Sequence, residues 1–348
     1  MSLYKNRFAR KFPDAFFLEK EDTDSLRQYL YEKDWLEDGE QLVHVDLAGE
    51  GNMNLVLKVE TSQKEFIIKQ ARPWVEKYPD IDAPIERIHA EATYYIWHQE
   101  NEHLQTFVPD IPDYDPDNYI LFLEYLGNNA DGTYLYKQGS ELQKHELDNL
   151  LEYIFCLHQT NFSKPIDAFP DNSKLKKLNH QHLFIYPFLI NNGLDLDSIQ
   201  PGLQELALPY IKNDNLQKRV TQLGDLYLSE GPSLLHGDYY PGSWIRTDDG
   251  FKIIDPEFSH FGQPEFDLGV FTAHMYIAQQ PERILQSIKQ NFHQYKHFDT
   301  ELAISYTGIE ILRRLIGLAQ LSTPLTIDQK SELLRHSCKM VLTPSNYI

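Results

Sequence analysis

Asp238 lies in the run Leu234-Leu235-His236-Gly237-Asp238-Tyr239-Tyr240-Pro241-Gly242-Ser243, where an apolar strand delivers an acid into a loop that Gly237 and Gly242 allow to turn sharply. Seventeen residues on, Lys252-Ile253-Ile254-Asp255-Pro256-Glu257 ends a second apolar strand in two carboxylates one residue apart. Two strands joined by a short loop place Asp238 and the Asp255/Glu257 pair at one end of a small hairpin. Phosphoryl transfer asks for such a set: one carboxylate to take the proton of an attacking hydroxyl, and hard oxygens to hold Mg²⁺ on a triphosphate. A lone His-Gly-Asp carries little information, and its plain reading is a turn aspartate followed by two solvated acids. Both motifs at strand ends, at this separation, favour the chemistry.

The nucleotide side needs positive charge and backbone donors. Gly49-Glu50-Gly51-Asn52-Met53-Asn54 separates two strand patterns, as a phosphate-covering hairpin does, with Gly49, Gly51 and Asn52 at the turn. It lacks the third glycine of G-x-G-x-x-G, so alone it reads equally as an ordinary β-turn. Lys69 adds weight because it ends the apolar strand Phe66-Ile67-Ile68-Lys69, one strand after the loop, where an ammonium reaches α- and β-phosphates. Its carboxylate partner is Glu86 or Glu91 on the next helix; Glu91 is preferred because Arg87 adjoins Glu86. In Phe122-Leu123-Glu124-Tyr125-Leu126, backbone groups at Glu124 and Leu126 suit an adenine edge where the chain leaves a strand.

Arg313 and Arg314 sit inside the apolar helix pattern Glu310-Ile311-Leu312-Arg313-Arg314-Leu315-Ile316. A buried guanidinium needs carboxylate or phosphate partners, so an internal salt bridge and a site role weigh equally. His236 reads as a brace to backbone rather than as a base. Cys156 and Cys338 have neither disulfide nor metal-ligand spacing, and Cys156 sits in an apolar stretch as an inert thiol.

These residues must be positioned by two regions of different character. Helical periodicity covers residues 22–35 and 85–100, and period-2 apolar patterns cover 41–47, 53–60, 65–70 and 119–125. After Gly127, helical patterns dominate at 141–158, 203–228, 281–292 and 305–321. The expectation is an α+β, bilobal chain: a small β-rich nucleotide-binding lobe over 1–126 with a helical extension, and a larger, mainly helical catalytic and substrate lobe over 127–348. Ligands commonly enter between such lobes.

The formal net charge of −20 excludes a nucleic-acid backbone as partner, since no basic face is available. It invites a cationic substrate, but excess acid more simply keeps a protein in solution. No apolar run is long enough for a bilayer and the N-terminus lacks a signal-peptide core, so a cytoplasmic location is expected.

HGDYYPGSW (236–244) and IIDPEFSHFGQPEFDLG (253–269) resemble the aminoglycoside-phosphotransferase-like kinases, and among them 5-methylthioribose kinases, which carry a small hydroxyl residue where Ser243 stands. GEGNMNLVLKV, FIIKQARPWV, NHQHLFIYPF and EILRRLIGLAQL extend the similarity from about residue 41 to 321. The resemblance implies a protein-kinase-like fold, ATP and Mg²⁺ as cofactors, and Asp238 as catalytic base. Lys69 and the 49–54 loop would lie on phosphates, with Asp255, Glu257 and Ser243 on the metal. Tyr239, Arg313 and Arg314 would lie on the acceptor side. It also implies methylthioribose as acceptor, in methionine salvage, and a homodimer. An aminoglycoside, choline or other amino alcohol is the alternative acceptor. A nucleotide-binding pseudo-kinase would have lost Asp238, Lys69 or the metal carboxylates, and all are present. Two departures stand out: Tyr78-Pro79-Asp80 replaces the family's Trp-Pro-Leu element, and Tyr239-Tyr240-Pro241 replaces its Leu-His-Thr.

Overall fold

The computed structural model describes residues 3–49 and 53–348. The chain divides into two compact units, Met1–Asn128 with Phe169–Leu175, and Asn129–Ala168 with Lys176–Ile348. Phe169 and Lys174 go with the first unit because Phe169 packs edge-on against Trp97 and Lys174 pairs with Glu86 at 2.8 Å.

The first unit opens with α1 (Leu3–Lys11) and α2 (Thr23–Glu32), the latter started by Asp22, whose carboxylate accepts from Ser25 N. Strands β1 (Leu42–Leu47), β2 (Leu55–Thr61) and β3 (Glu65–Gln70) follow, then the short pair β4 (Trp74–Val75) and β5 (Tyr78–Asp82). After α3 (Arg87–Gln99) come β6 (Asp113–Asp115) and β7 (Ile120–Glu124), completing an antiparallel sheet of order β1-β2-β3-β7-β6. Leu57, Val59, Phe66, Ile68 and Phe122 form one core with Leu26, Leu30 and Trp35 of the α2 region. Side chains alternate along a strand, so Lys69 points away from Ile68 and from that core.

The second unit is mainly helical, with α4 (Lys144–Gln159), α5 (Ser173–His180) entering it, a π turn at Gln181–Ile185, and α6 (Leu196–Ile199). The helix expected over 203–228 is two, α7 (Leu203–Ile211) and α8 (Asp214–Leu228), because Asn213 caps a new start by accepting from Leu216 N at 3.0 Å. Four short strands follow: β8 (Ser233–Leu235), β9 (Trp244–Thr247), β10 (Gly250–Ile253) and β11 (His260–Gly262).

The single hairpin expected around Asp238 and Asp255 is corrected here. β8 pairs with β11, and β9 pairs with β10, so the two motifs leave different two-stranded ladders. Helices α9 (Glu265–Ile277), α10 (Glu282–Asn291), α11 (Thr300–Ile316) and α12 (Ile327–Leu342) complete the unit, with α11 packed on α9 and α12. α11 starts earlier than its apolar pattern, at the Asp299 cap, and stops before Gly317. No helix among the described residues is long and apolar enough to cross a membrane.

Candidate functional site

In the first unit, Lys69 of β3 sits between Val56 of β2 and Leu121 of β7 in the ladder. Its Nζ meets Glu91 Oε1 of α3 at 2.7 Å, with both side chains buried. Glu91, not Glu86, is thus the partner; Glu86 turns to Lys174. Arg87 supplies a support that the sequence reading missed. From the first turn of α3 its guanidinium donates to Asn54 Oδ1 (2.8 and 3.1 Å), Met53 O (2.8 Å), Arg72 O (2.9 Å) and Pro84 O (2.7 Å). It ties the end of the 49–54 loop to the helix that carries Glu91. Gly49 lies in open space, while Gly51 and Asn52 fall outside the described residues. At the end of β7, the Glu124 N–H is spent on Asp110 O (2.9 Å), so an adenine edge can draw there only on the carbonyl, and Leu126 follows in irregular backbone.

In the second unit, the turn after β8 is built on a buried carboxylate. Asp267 of α9 accepts from His236 N (2.8 Å) and Gly237 N (2.9 Å) and bonds His158 Nε2 (3.1 Å). Burial pushes its carboxyl up, but His158, His236 and the Gly237 amide outweigh that and hold it below its ordinary value. Gly237 is required: its φ is +84°, and a Cβ there would stand 2.3 Å from Phe258 O. The His236 ring is a brace, as expected, with Nε2–H donating to Ile254 O (3.0 Å). Burial lowers its pKa, so the ring is neutral.

Asp238 then projects into a cluster of charges on α11. Its Oδ1 lies 3.2 Å from Arg314 Nη2 and 3.7 Å from Arg313 Nη1. Both guanidiniums are also held by Glu310, three and four residues earlier on the helix, at 3.0 Å to Arg313 and 2.5 Å to Arg314 Nε. Burial alone would raise the Glu310 carboxyl; Arg313, Arg314 and His274 outweigh it and hold it far below the carboxylate range. His274 of α9 donates Nε2–H to Glu310 (3.1 Å) and accepts at Nδ1 from the Tyr136 hydroxyl (2.5 Å). Burial, opposed by the Glu310 bond, takes its pKa down to about 4. Glu310 and His274 were not singled out from sequence, although Glu310 stands three and four residues before the arginines, the spacing that puts opposite charges on one helix face.

Tyr239, expected on the acceptor side, is placed elsewhere. Its ring is fully buried against Trp244 and Phe271, and its hydroxyl donates to Leu150 O at 2.9 Å. One residue on, Tyr240 is the residue that turns to the cluster, under Arg314 and beside His274. Ser243 links the two motifs: its Oγ donates to Asp238 O (3.0 Å) and its carbonyl accepts from Ile254 N (2.9 Å), one residue before Asp255. Asp255 is exposed, with φ 60°, and Glu257 in the next turn is buried. Two carboxylates and a hydroxyl are a hard-oxygen donor set that fits Mg²⁺. Among the described residues, no group of three or more His, Cys, Asp or Glu side chains is assembled as a metal site.

Residues 44–301 match the profile of the phosphotransferase enzyme family. The chain is 26% identical over 345 residues to a methylthioribose kinase of Geobacillus thermodenitrificans, covering 84% of each chain. It is 25% identical over 270 residues to one of Exiguobacterium sibiricum, covering 70% of this chain and 64% of that enzyme. In fold it is similar to a choline/ethanolamine kinase family protein from Mesorhizobium loti, with a TM-score of 0.54 at 15% identity, covering 93% and 96% of the two chains. The resemblance read from the motifs therefore holds: the chain belongs to the phosphotransferase enzyme family and is a small-molecule kinase with a hydroxyl acceptor.

Proposed function

We propose that this enzyme transfers the γ-phosphoryl group of ATP to a sugar hydroxyl, with methylthioribose as acceptor and a place in methionine salvage. One observation carries the choice of acceptor: two guanidiniums, Arg313 and Arg314, face the carboxylate of Asp238 at 3.7 and 3.2 Å. A cationic aminoglycoside or choline brought to Asp238 would meet both, and like charges disfavour it. A neutral polyol meets donors instead. The names of the relatives support the same acceptor.

In this reading Asp238 accepts the hydroxyl proton as the acceptor oxygen bonds to the γ-phosphorus and the bond to the ADP oxygen breaks. Lys69, fixed by Glu91, lies on the α- and β-phosphates, with Gly49, Gly51 and Asn52 covering them. The carbonyl of Glu124 and the backbone of Leu126 hold adenine. Asp255, Glu257 and the Ser243 hydroxyl would hold Mg²⁺, which neutralises triphosphate charge when bound. Arg313 and Arg314 orient the acceptor and the transferred group.

ADP release coupled to a spectrophotometric readout, run with methylthioribose, ribose analogues, choline and aminoglycosides, tests this. Turnover of methylthioribose above the others is expected. Turnover of choline or an aminoglycoside with no sugar turnover would overturn the reading.

A further inference from the structure

We infer that Tyr240 is an acceptor-binding residue, its hydroxyl donating to an acceptor oxygen and selecting a hydroxylated, uncharged compound; the inference rests on the kinase reading above. Tyr240 shares one turn with the base, its N–H donating to Asp238 O at 3.1 Å. Its ring is clamped. The Arg314 guanidinium carbon lies 4.9 Å from the ring centroid and the His274 ring 5.0 Å away. Gly242 lies at the hydroxyl end, where a Cβ would come within 2.4 Å of the phenol oxygen, so glycine is the residue that leaves the ring room.

The tyrosines around it have spent their hydroxyls. Tyr239 donates to Leu150 O and Tyr136 to His274. The Tyr240 hydroxyl has no hydrogen-bond partner among the described residues, and the side chain stays partly exposed. A tyrosine hydroxyl carries its proton at neutral pH. A fixed, protonated, unspent O–H beside the base is a donor awaiting an acceptor, and a ligand lacking the matching oxygen leaves it unpaired at a cost. Arg314 already serves as the cation over this ring, so an ammonium group brought there adds a like charge rather than entering an aromatic cage.

The test is steady-state kinetics of wild type and Tyr240→Phe with ATP and the acceptor that the ADP-release panel identifies, alongside thermal melting. The expected result is an acceptor KM raised roughly 3- to 10-fold, the ratio for one neutral hydrogen bond, with ATP KM and Tm unchanged. An unchanged acceptor KM overturns the contact. So does a rise in both KM values with a fallen Tm, which marks a structural role. If wild type prefers choline to methylthioribose, the sugar reading and the selection against charge fail together. The acceptor KM of Tyr240→Phe, measured on choline, still decides whether Tyr240 touches the acceptor.

Discussion

Arg314 bridges two carboxylates, reaching Asp238 with Nη2 at 3.2 Å while its Nε holds Glu310 at 2.5 Å. The two roles weighed for the paired arginines are therefore compatible. Glu310 neutralises and fixes them within α11, and that same fixation presents their outer N–H groups at Asp238. Two guanidiniums balance two carboxylates, with a neutral His274 behind them, so the cluster is buried without net charge.

Asp238→Asn separates these functions. The amide keeps the shape of the side chain but cannot take a proton, so turnover should fall roughly 10²- to 10⁴-fold, the range for a lost general base. The arginines retain Glu310, so the melting temperature should move little, and the ATP KM should hold. Rapid-quench or coupled assays with a melting curve on the same preparation check this. Turnover within threefold of wild type would falsify the assignment of Asp238 as base.

Lys69 makes a prediction of another kind, because its partner is buried with it. Lys69→Met takes away the buried ammonium that Glu91 meets at 2.7 Å and should cost about 3–5 kcal/mol of stability, whereas Lys69→Met with Glu91→Leu removes both charges and should recover most of it. Activity should not return with stability: the double variant should retain a depressed kcat/KM for ATP, by at least tenfold. Denaturant melts paired with ATP titrations read the two effects apart. A double variant with normal ATP kinetics would show Lys69 to be only a strut.

The sequence was most informative where chemistry depends on local motif and strand position. Lys69 at the end of β3, Asp238 beyond β8 and His236 as a brace were all legible, since each follows from a strand pattern and its neighbours. Pairings that depend on tertiary placement were not. Nothing local says that β8 pairs with β11 rather than running into β10, because all four strands are only three or four residues long. α9 escaped periodicity because it is buried at every position from Glu265 to Ile277 except Tyr276, leaving no polar face to mark it. Asp267 lies within that same helix, so the carboxylate that shapes the turn before Asp238 was hidden with it. Tyr239 and Tyr240 are the same residue type in adjacent positions, and only the backbone direction decides which enters the core.

Stability against acid follows from the buried histidines. His274 and His260 are each driven by burial to about 4, against an ordinary value near 6.5. Above pH 6.5 both folded and unfolded chains leave these rings neutral, and there is no effect. Below it the unfolded chain binds protons that the folded one refuses, so stability falls as pH drops toward 4, by about 2 kcal/mol per ring at pH 5. Glu310, held far below the carboxylate range, adds its loss only below its unfolded value near 4.5. The net charge of −20 works the other way, since acid relieves its self-repulsion. Measurement in about 0.2 M salt screens that exposed charge and spares the buried groups. Calorimetric melts from pH 7.5 to 5 should show a falling Tm. His274→Asn should melt lower at pH 7.5, having lost its bond to Glu310, but with a shallower slope below pH 6.5. A wild-type Tm that stays level from pH 7 to 5 would mean that these rings titrate freely in the folded chain.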